Sequence, residues 1–366
     1  MNLFLLLNSP HYLRPFADTM HTLAERGHRI TLGWHSPSSR APLAAVEQLS
    51  AHPNITVIKV PTKRTDHRYA VNLLRRTRNY LRYLDTPFRG ADKLRRRAFD
   101  RLLRGALADD TTEDSALSES GLALPVSDVE RLQDALAWME TLVPPDPACT
   151  ALVADGGYDA VLVSSLVSLN SSTQVEVVKA ARTLGVPVGL LVYSWDNLST
   201  KGEIHAMPDR VFTWNRRQRD EAIELHHVPA DRVVLAGAPR FDEFLACAPR
   251  VPRQTFFASM GLDPNRPALM YVCSSAFVSG DELPFITQWL HALRTAPYED
   301  VRTCNVIIRP HPDVELVGPD VASTRLDFGV EGLAATAFRP LDDPGAVVLK
   351  TASRTPQGLY ESLWHS

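Results

Sequence analysis

Residues 188–193 read VGLLVY and residues 210–214 read RVFTW, two short apolar runs that are typical of buried strands. Residues 216–226, RRQRDEAIELH, predict a helix, and residues 233–235, VVL, predict the next strand. Polar residues and glycine follow each apolar run. Because strands that alternate with helices form parallel sheets, this stretch predicts a doubly wound α/β fold. Ligands of such sheets bind at the carboxyl ends of the strands.

The same alternation extends over most of the chain. Earlier strand-like runs occupy residues 3–7, 30–34, 55–60 and 160–163. A Pro- and Arg-rich segment at 246–253 interrupts the pattern, and further strands are predicted at 268–273, 305–309 and 347–349. We therefore predict two Rossmann-like domains, at residues 1–245 and 254–366. The first carries a basic helical insertion at about 63–150, and the second is incomplete because it offers few strands.

The composition indicates a globular protein with no overall preference for nucleic acid or membrane, because a net charge of −3 is small for 366 residues, of which 45% are hydrophobic. Wide spacing favours reduced thiols over a metal site for the four cysteines: Cys149, Cys247, Cys273 and Cys304. No apolar run reaches the length of a membrane span, and the first residues lack the basic flank of a signal peptide. We therefore predict a cytoplasmic protein.

Residues 63–104 are strongly basic, with 14 Lys and Arg against 4 Asp and Glu. Leu74, Leu81 and Phe88 lie at helical spacing and predict an amphipathic helix that breaks near Pro87, followed by a second basic helix. Two interpretations stay open. The helices around 71–104 lie on an anionic membrane surface or hold an acidic acceptor, or they are solvated helices packed on the sheet. Sparse aromatics and the absence of a nucleic-acid motif argue against nucleic acid.

Two helix starts carry the spacing of a capping box. Ser127 with Glu130, and Thr173 with Glu176, place a hydroxyl three residues before a carboxylate. We expect the side chains of each pair to bond reciprocally to the first backbone amides of a helix.

In the second predicted domain, polar residues follow two neighbouring strands. Arg309 and His311 leave a strand with Pro310 and Pro312 stiffening the turn, and Ser274 and Ser275 end the strand before it. An arginine offers a fixed fork of donors for phosphate, and a histidine beside it can donate to a phosphoryl oxygen. The alternative is a capped strand end with ordinary turn residues.

In the first predicted domain, His11 follows the first strand and is a candidate general base for an acceptor hydroxyl. Asp196 could orient that histidine, act as the base itself or bind the acceptor, or it could only cap a turn. Acceptor contacts are expected from neighbouring polar residues: Asn197, Lys201 and Arg240. For Arg240 and its neighbours, shaping the entry to the linker is the competing structural interpretation.

These motifs resemble those of GT-B-fold glycosyltransferases, in particular bacterial transferases of surface-polysaccharide and teichoic-acid type. The residues that carry the resemblance are 3–31, 194–202, 208–209, Trp214, 237–242 and 309–312. The resemblance implies two Rossmann-like domains facing a cleft, with the acceptor on the first and a nucleotide-activated donor on the second. It also implies no bound metal and no cofactor, because arginine, histidine and backbone amides offset the diphosphate charge.

We therefore predict transfer of a glycosyl or glycerol-phosphate-like group from a nucleotide-activated donor to a hydroxyl acceptor, a glycan or a lipid-linked molecule. In this prediction His11 or Asp196 activates the acceptor, and Arg309, His311, Ser274 and Ser275 bind the donor. The alternatives are a nucleotide-sugar epimerase of the same fold and a non-catalytic GT-B-like binding subunit. Relatives typically continue beyond the point at which this sequence ends, so a truncated second domain is expected. The basic helices at 71–104 predict peripheral attachment to the inner face of the membrane.

Overall fold

The computed structural model describes most of the chain, namely residues 1–35, 44–64, 66–106, 125–170, 172–246, 248–249, 251–274, 278–279, 282–309, 325–327, 334–336 and 347–349. The chain divides into two compact units, Met1–Asp242 and Glu243–Ser366.

The first unit is built on a parallel sheet with seven described strands in the order β3-β2-β1-β4-β5-β6-β7. The strands are β1 (Asn2–Leu7), β2 (Arg29–Trp34), β3 (Ile55–Lys59), β4 (Ala160–Ser164), β5 (Val188–Leu191), β6 (Arg210–Thr213) and β7 (Val233–Leu235). The chain winds outward from β1 in one direction and from β4 in the other. This order confirms the predicted doubly wound α/β class.

Helices cover this sheet on both faces. In chain order they are α1 (Ala17–Glu25), α2 (Ala44–Ser50), α3 (Arg68–Arg82), α4 (Asp92–Ala106), α5 (Val126–Leu142), α6 (Pro147–Gly156), α7 (Thr173–Thr183), α8 (Asn197–Thr200) and α9 (Arg216–His226). Strand β1 is buried on both sides, because Phe4 and Leu6 enter one apolar core while Leu5 and Leu7 enter the other. Burial on both faces explains why the run Leu3–Leu7 shows no polar alternation.

The topological switch point lies between β1 and β4, which are neighbours in the sheet although more than a hundred residues separate them. The connections that leave these strands diverge to opposite sides of the sheet. A crevice therefore opens at their carboxyl ends, where ligands of open α/β sheets bind.

In the second unit, three described strands form a parallel sheet in the order β12-β9-β8: β8 (Ala268–Val272), β9 (Asn305–Arg309) and β12 (Val347–Leu349). Strands β10 (Arg325–Asp327) and β11 (Ala334–Thr336) form an antiparallel pair. The helices are α10 (Asp242–Ala246), which begins at the last residue of the first unit, α11 (Arg253–Met260), α12 (Leu283–Arg294) and α13 (Glu299–Arg302).

The end of one helix and the starts of two others differ from the sequence prediction. Helix α3 ends at Arg82, earlier than predicted, and Asp85 caps a separate 3-10 turn at Thr86–Phe88. Neither predicted capping box forms. Helix α5 begins after Pro125 without a side-chain cap, and α7 is capped by Ser172, whose Oγ accepts from the Gln174 amide at 3.2 Å. Among the described residues, no helix combines the length and the hydropathy that crossing a bilayer requires.

Candidate functional site

A cavity of about 520 Å³ opens at the carboxyl edge of the first unit's sheet. Its described lining comes from the segments after β1, β2, β3, β4 and β5 and from α4: Asn8, Tyr12, His35, Thr62, Arg97, Arg101, Ser165, Val167, Ser168, Leu169, Asn170, Ser172, Asn197 and Lys201. This lining combines amide and hydroxyl groups with three cationic side chains and, among the described residues, no carboxylate. Such a site suits a ligand with many hydroxyls, a negative charge, or both.

His35 directly follows β2 and lines the cavity. Burial lowers the pKa of its imidazole to about 4, so the ring is neutral near pH 7. Its Nδ1 atom is buried and has no hydrogen-bond partner within the described part of the chain. A neutral imidazole at this edge can both donate to and accept from a ligand hydroxyl.

Ser165 follows β4 on the other side of the switch point, also in the cavity lining. Its backbone has φ of 72°, a left-handed conformation that is uncommon for residues other than glycine. The buried Oγ lacks a hydrogen-bond partner among the described residues. Strained backbone and unsatisfied polar atoms concentrate at functional sites, and both occur here at the predicted ligand edge.

The loop after β5 is fixed by the side chains of Asp196 and Asn197. The Asp196 carboxylate accepts from Ser194 Oγ at 2.7 Å and from Thr200 Oγ1 at 2.9 Å, and pairs with Lys201 Nζ at 3.2 Å. Burial alone raises the pKa of Asp196, but the hydrogen bonds and the Lys201 charge outweigh it and hold the pKa below its ordinary value. The carboxylate is therefore an ionised acceptor that shapes the loop.

Asn197 has a structural role as well as a place in the cavity wall. Its Oδ1 accepts from the backbone amides of Tyr193 at 3.0 Å and Ser194 at 2.8 Å. These bonds use the amide oxygen, and Asn197 also lines the cavity together with Lys201. The structure thus brings two of the predicted acceptor residues to one wall.

Helices α3 and α4 of the basic insertion hold that wall by its backbone carbonyls. Arg82 donates to the carbonyls of Leu198 and Gly202, both at 2.5 Å, and Tyr83 Oη donates to the carbonyl of Lys201 at 2.6 Å. Burial lowers the pKa of the Arg82 guanidinium below its ordinary value. A charged donor binds both carbonyls at once, and the Leu198 carbonyl also contacts His226 Nε2 at 2.7 Å. Arg97 of α4 adds a hydrogen bond to the carbonyl of Thr200.

Asn79 of α3 joins two lining segments. Its Nδ2 donates to the carbonyl of Ser168 at 2.9 Å, and its Oδ1 accepts from the Glu203 amide at 2.8 Å. Gly202 lies against the same groups, because a Cβ placed there would be 2.1 Å from the Ser168 carbonyl oxygen and 2.5 Å from Asn79 Oδ1. Only glycine fits this close backbone approach.

Substitution of Gly202 by Ala is expected to destabilise the first unit by about 1–3 kcal/mol, because the added methyl group overlaps a backbone oxygen that cannot rotate away. The displaced Ser168 segment also narrows the cavity. Thermal unfolding measures the loss. Gly27→Ala is the matched control: Gly27 has φ of 83°, and a Cβ added there would meet no atom within 4 Å, so its smaller cost reports backbone strain alone. A loss no larger at Gly202 than at Gly27 would contradict the steric account.

His11 lies half-buried in the 3-10 turn Pro10–Phe16 that follows β1. The described lining of the cavity includes its neighbour Tyr12. Tyr12 stacks on Tyr193 with ring centroids 4.0 Å apart, and Arg240 lies over the Tyr193 ring at 5.5 Å and donates to Tyr193 Oη at 3.2 Å. Arg240 is thus tied to the turn that carries His11 through two aromatic rings.

In the second unit, Arg309 and Ser274 lie at the carboxyl edge of adjacent strands. The Cys273 amide donates to the Arg309 carbonyl at 2.9 Å, and the Arg309 side chain is buried, which lowers its pKa. The Ser274 amide, predicted to meet a diphosphate, donates to Glu282 Oε2 at 2.7 Å. Ser275 and His311 lie outside the described residues. Among the residues that are described, no group of His, Cys, Asp and Glu is arranged to hold a metal ion.

Solved structures similar to this chain include glycosyltransferases. A plant UGT89C1 of Arabidopsis thaliana, complexed with UDP-L-rhamnose, matches 96% of this chain and 70% of its own, with 11% identity and a TM-score of 0.43. MurG of Acinetobacter baumannii matches 97% and 67%, with 9% identity and a TM-score of 0.38. A glycosyltransferase of Rickettsia africae ESF-5 matches 98% and 70%, with 8% identity and a TM-score of 0.44.

These structures are of the same class of protein that the sequence motifs resemble. At such low identities and TM-scores, no functional statement about this chain rests on the likeness. No family model matches the chain, and no curated protein matches its sequence.

Sequence reasoning missed His35, Ser165 and the two arginines of α4 that line the cavity. His35 could have been found, because it follows a strand in the way that His11 does. No local sequence pattern distinguishes Arg97 and Arg101 from the other cations of the insertion, because tertiary packing is what brings α4 to the sheet edge.

Proposed function

We propose that this protein transfers a glycosyl or glycerol-phosphate-like group from a nucleotide-activated donor to a hydroxyl acceptor bound in the cavity of the first unit. The main support for this proposal is the cavity of about 520 Å³ at the carboxyl edge of the sheet. Its described lining offers hydrogen-bond donors and acceptors together with three cationic side chains. Hydroxyl groups and negative charge are the features such a lining recognises.

In this proposal His11 takes the proton from the acceptor hydroxyl. Asp196 is the weaker candidate for the base, because both of its carboxylate oxygens already accept hydrogen bonds and its pKa is lowered. Arg240 is proposed to fix the position of the His11 turn through Tyr193 and Tyr12. Asn197 and Lys201 contribute to the acceptor wall.

The donor is proposed to bind at the strand ends of the second unit. Arg309 is proposed to supply a guanidinium, and Ser274, Ser275 and His311 are proposed to contribute further donors to the same phosphate groups. The bond between the Ser274 amide and Glu282 must exchange for a phosphate oxygen when the donor binds. We also propose that transfer requires no metal, since arginine and backbone amides stabilise the diphosphate leaving group.

Two further parts of the proposal concern location. The protein is proposed to act in the cytoplasm, attached to the inner face of the membrane through cations of residues 71–104. The exposed cations of that segment are Arg89, Lys93, Arg96, Arg101 and Arg104. Others are used internally, as Arg82 shows.

The test is donor turnover. Binding of a panel of nucleotide sugars and of CDP-glycerol is measured by thermal shift, and release of the nucleotide to water is then followed without added acceptor. His11→Ala is expected to slow this release by about 10²- to 10⁴-fold while donor binding is kept. The matched control is His21→Ala on α1, a half-buried histidine outside the described cavity lining, which pairs with Glu25 and contacts the His52 ring.

A loss that is equal in both histidine variants would remove His11 from the mechanism. Donor binding without turnover would favour the non-catalytic binding subunit. An epimerase is disfavoured because it needs carboxylates around the substrate, and the described cavity lining has none.

A further inference from the structure

A second, smaller cavity of about 220 Å³ adjoins the first. Its described lining is Thr62, Lys63, Arg64, Arg68, Asn72, Arg75, Arg76, Ser172, Thr173 and Glu176. Thr62 and Ser172 belong to both linings, so the two cavities share a wall. A hydrogen bond from Thr173 Oγ1 to the Thr62 carbonyl, 3.1 Å long, fixes that wall.

Positive charge exceeds negative charge around the second cavity. Glu176 is the carboxylate in its described lining, and its two oxygens are taken by Arg64 at 2.5 Å and Arg75 at 2.7 Å. Lys63 and Arg68 lie exposed at the same cavity and have no carboxylate opposite them in that lining. The electrostatic potential there favours an anion.

The second cavity is also lined by a buried arginine with one unpaired nitrogen among the described residues. Arg64 is 8% exposed, and its Nε donates to the Asp66 carbonyl at 2.9 Å. Its Nη1 donates to Glu176 and to the Pro144 carbonyl, but its Nη2 atom has no hydrogen-bond partner among the described residues. A buried guanidinium N–H without an acceptor is costly. An anion oxygen in the cavity would satisfy it.

We propose that the second cavity binds a phosphate group carried by the acceptor, so that the acceptor spans both cavities with its reacting hydroxyl in the larger one. The name acceptor rests on the proposed function, whereas phosphate binding does not. Phosphate is favoured over carboxylate because donors converge from several side chains, Arg64, Arg68 and Lys63, and a phosphate has three oxygens to receive them. The phosphate belongs either to a soluble sugar phosphate or to a prenyl phosphate.

The experiment uses the full chain and two probes, glucose 6-phosphate in buffer and farnesyl phosphate in uncharged detergent micelles, with affinities from calorimetry at fixed salt. The double variant Lys63→Ala/Arg68→Ala is expected to weaken binding of the preferred probe by about 10-fold or more. The matched control Arg89→Ala/Lys93→Ala removes the same charge from exposed positions of the insertion that lie outside both described linings and should change affinity less than about twofold.

Equal losses in the two double variants would show non-specific attraction and overturn the proposal, as would no loss in either. Tighter, cavity-dependent binding of glucose 6-phosphate assigns the site to a soluble acceptor, and tighter binding of farnesyl phosphate assigns it to a lipid-linked one. Donor turnover is measured separately. Turnover with no cavity-dependent phosphate binding overturns this inference alone, and phosphate binding without turnover overturns the proposed function alone.

Discussion

Replacement of Arg75 by Ala is expected to lower the free energy of unfolding of the first unit by about 3–5 kcal/mol. The Arg75 guanidinium is 1% exposed and bonds to both oxygens of Glu140, at 2.7 and 3.1 Å. It also pairs with Glu176 at 2.7 Å, and so links α3 to α5 and α7. Removal of the arginine leaves two buried carboxylates with reduced compensation, which is why the expected loss is large.

Urea unfolding followed by circular dichroism measures this loss. The control is Arg68→Ala, a substitution at an exposed residue of the same helix, which should stay within about 0.5 kcal/mol of the unmodified protein. A cost below about 1 kcal/mol for Arg75→Ala would mean that Lys179, 3.0 Å from Glu140, and Arg64 neutralise the carboxylates without it.

Acidification is expected to destabilise the first unit well before its carboxylates protonate. Burial holds the pKa of His35 at about 4. Burial and four nearby cationic or histidine side chains hold the pKa of His205 well below 6.5: Arg78, Arg75, His226 and Arg82. Burial and the charge of Arg82 also hold the pKa of His226 well below 6.5. The unfolded histidines bind protons below about pH 6.5 while the folded ones do not. Stability is therefore full above that pH and falls below it, by about 3 kcal/mol for His35 once the pH reaches about 4.

The pH dependence has its own variant test. Neither ring nitrogen of His205 has a hydrogen-bond partner within the described residues, so His205→Met is expected to fold at neutral pH. Unfolding of the variant should take up about one proton fewer below pH 6.5. The slope of the unfolding free energy against pH should therefore decrease by about 1.4 kcal/mol per pH unit. The unmodified protein, unfolded over the same pH range, is the reference. An unaltered slope in His205→Met would contradict the account.

The sheet of the first unit was predictable because its strands are short apolar runs with polar stops. The predicted residues 233–235 coincide with β7, and the predicted helix 216–226 coincides with α9. In the second unit, the predicted residues 305–309 likewise coincide with β9. These elements carry their own signals of periodicity and capping, such as Asn215, whose Oδ1 accepts from the Gln218 amide.

The capping prediction at Glu176 was wrong for a physical reason. A glutamate three residues after a threonine has the spacing of a capping box, but Glu176 is buried against Arg64 and Arg75 from other parts of the chain. The charge-assisted hydrogen bond from Arg64 and the ion pair with Arg75 together outweigh one bond to a backbone amide of the helix. Sequence spacing carries no information about such long-range partners.

The candidate site was predictable only in part. Strand ends pointed to His11 and to Asn197 and Lys201, and the latter two line the larger cavity. The contribution of α4 depended on packing that no local pattern encodes, since the insertion reads as a generic basic helix pair. The bonds from Arg82 and Arg97 to carbonyls show why: their targets are backbone atoms, which any residue type supplies.

Arg82, Tyr83 and Arg97 hold the wall after β5 by its backbone carbonyls. Side chains of that wall are therefore less constrained by these contacts than its main chain is. Substitution of Ser199 is expected to leave the loop in place, because these three side chains bind main-chain carbonyls. Thr200 is different, because its Oγ1 also donates to the Asp196 carboxylate. Exchange of Arg82 removes the hydrogen bonds to two of these carbonyls at once, and is therefore expected to disturb the whole wall. Lys201 shows the two roles in one residue, because its carbonyl is held by Tyr83 while the residue itself lines the cavity.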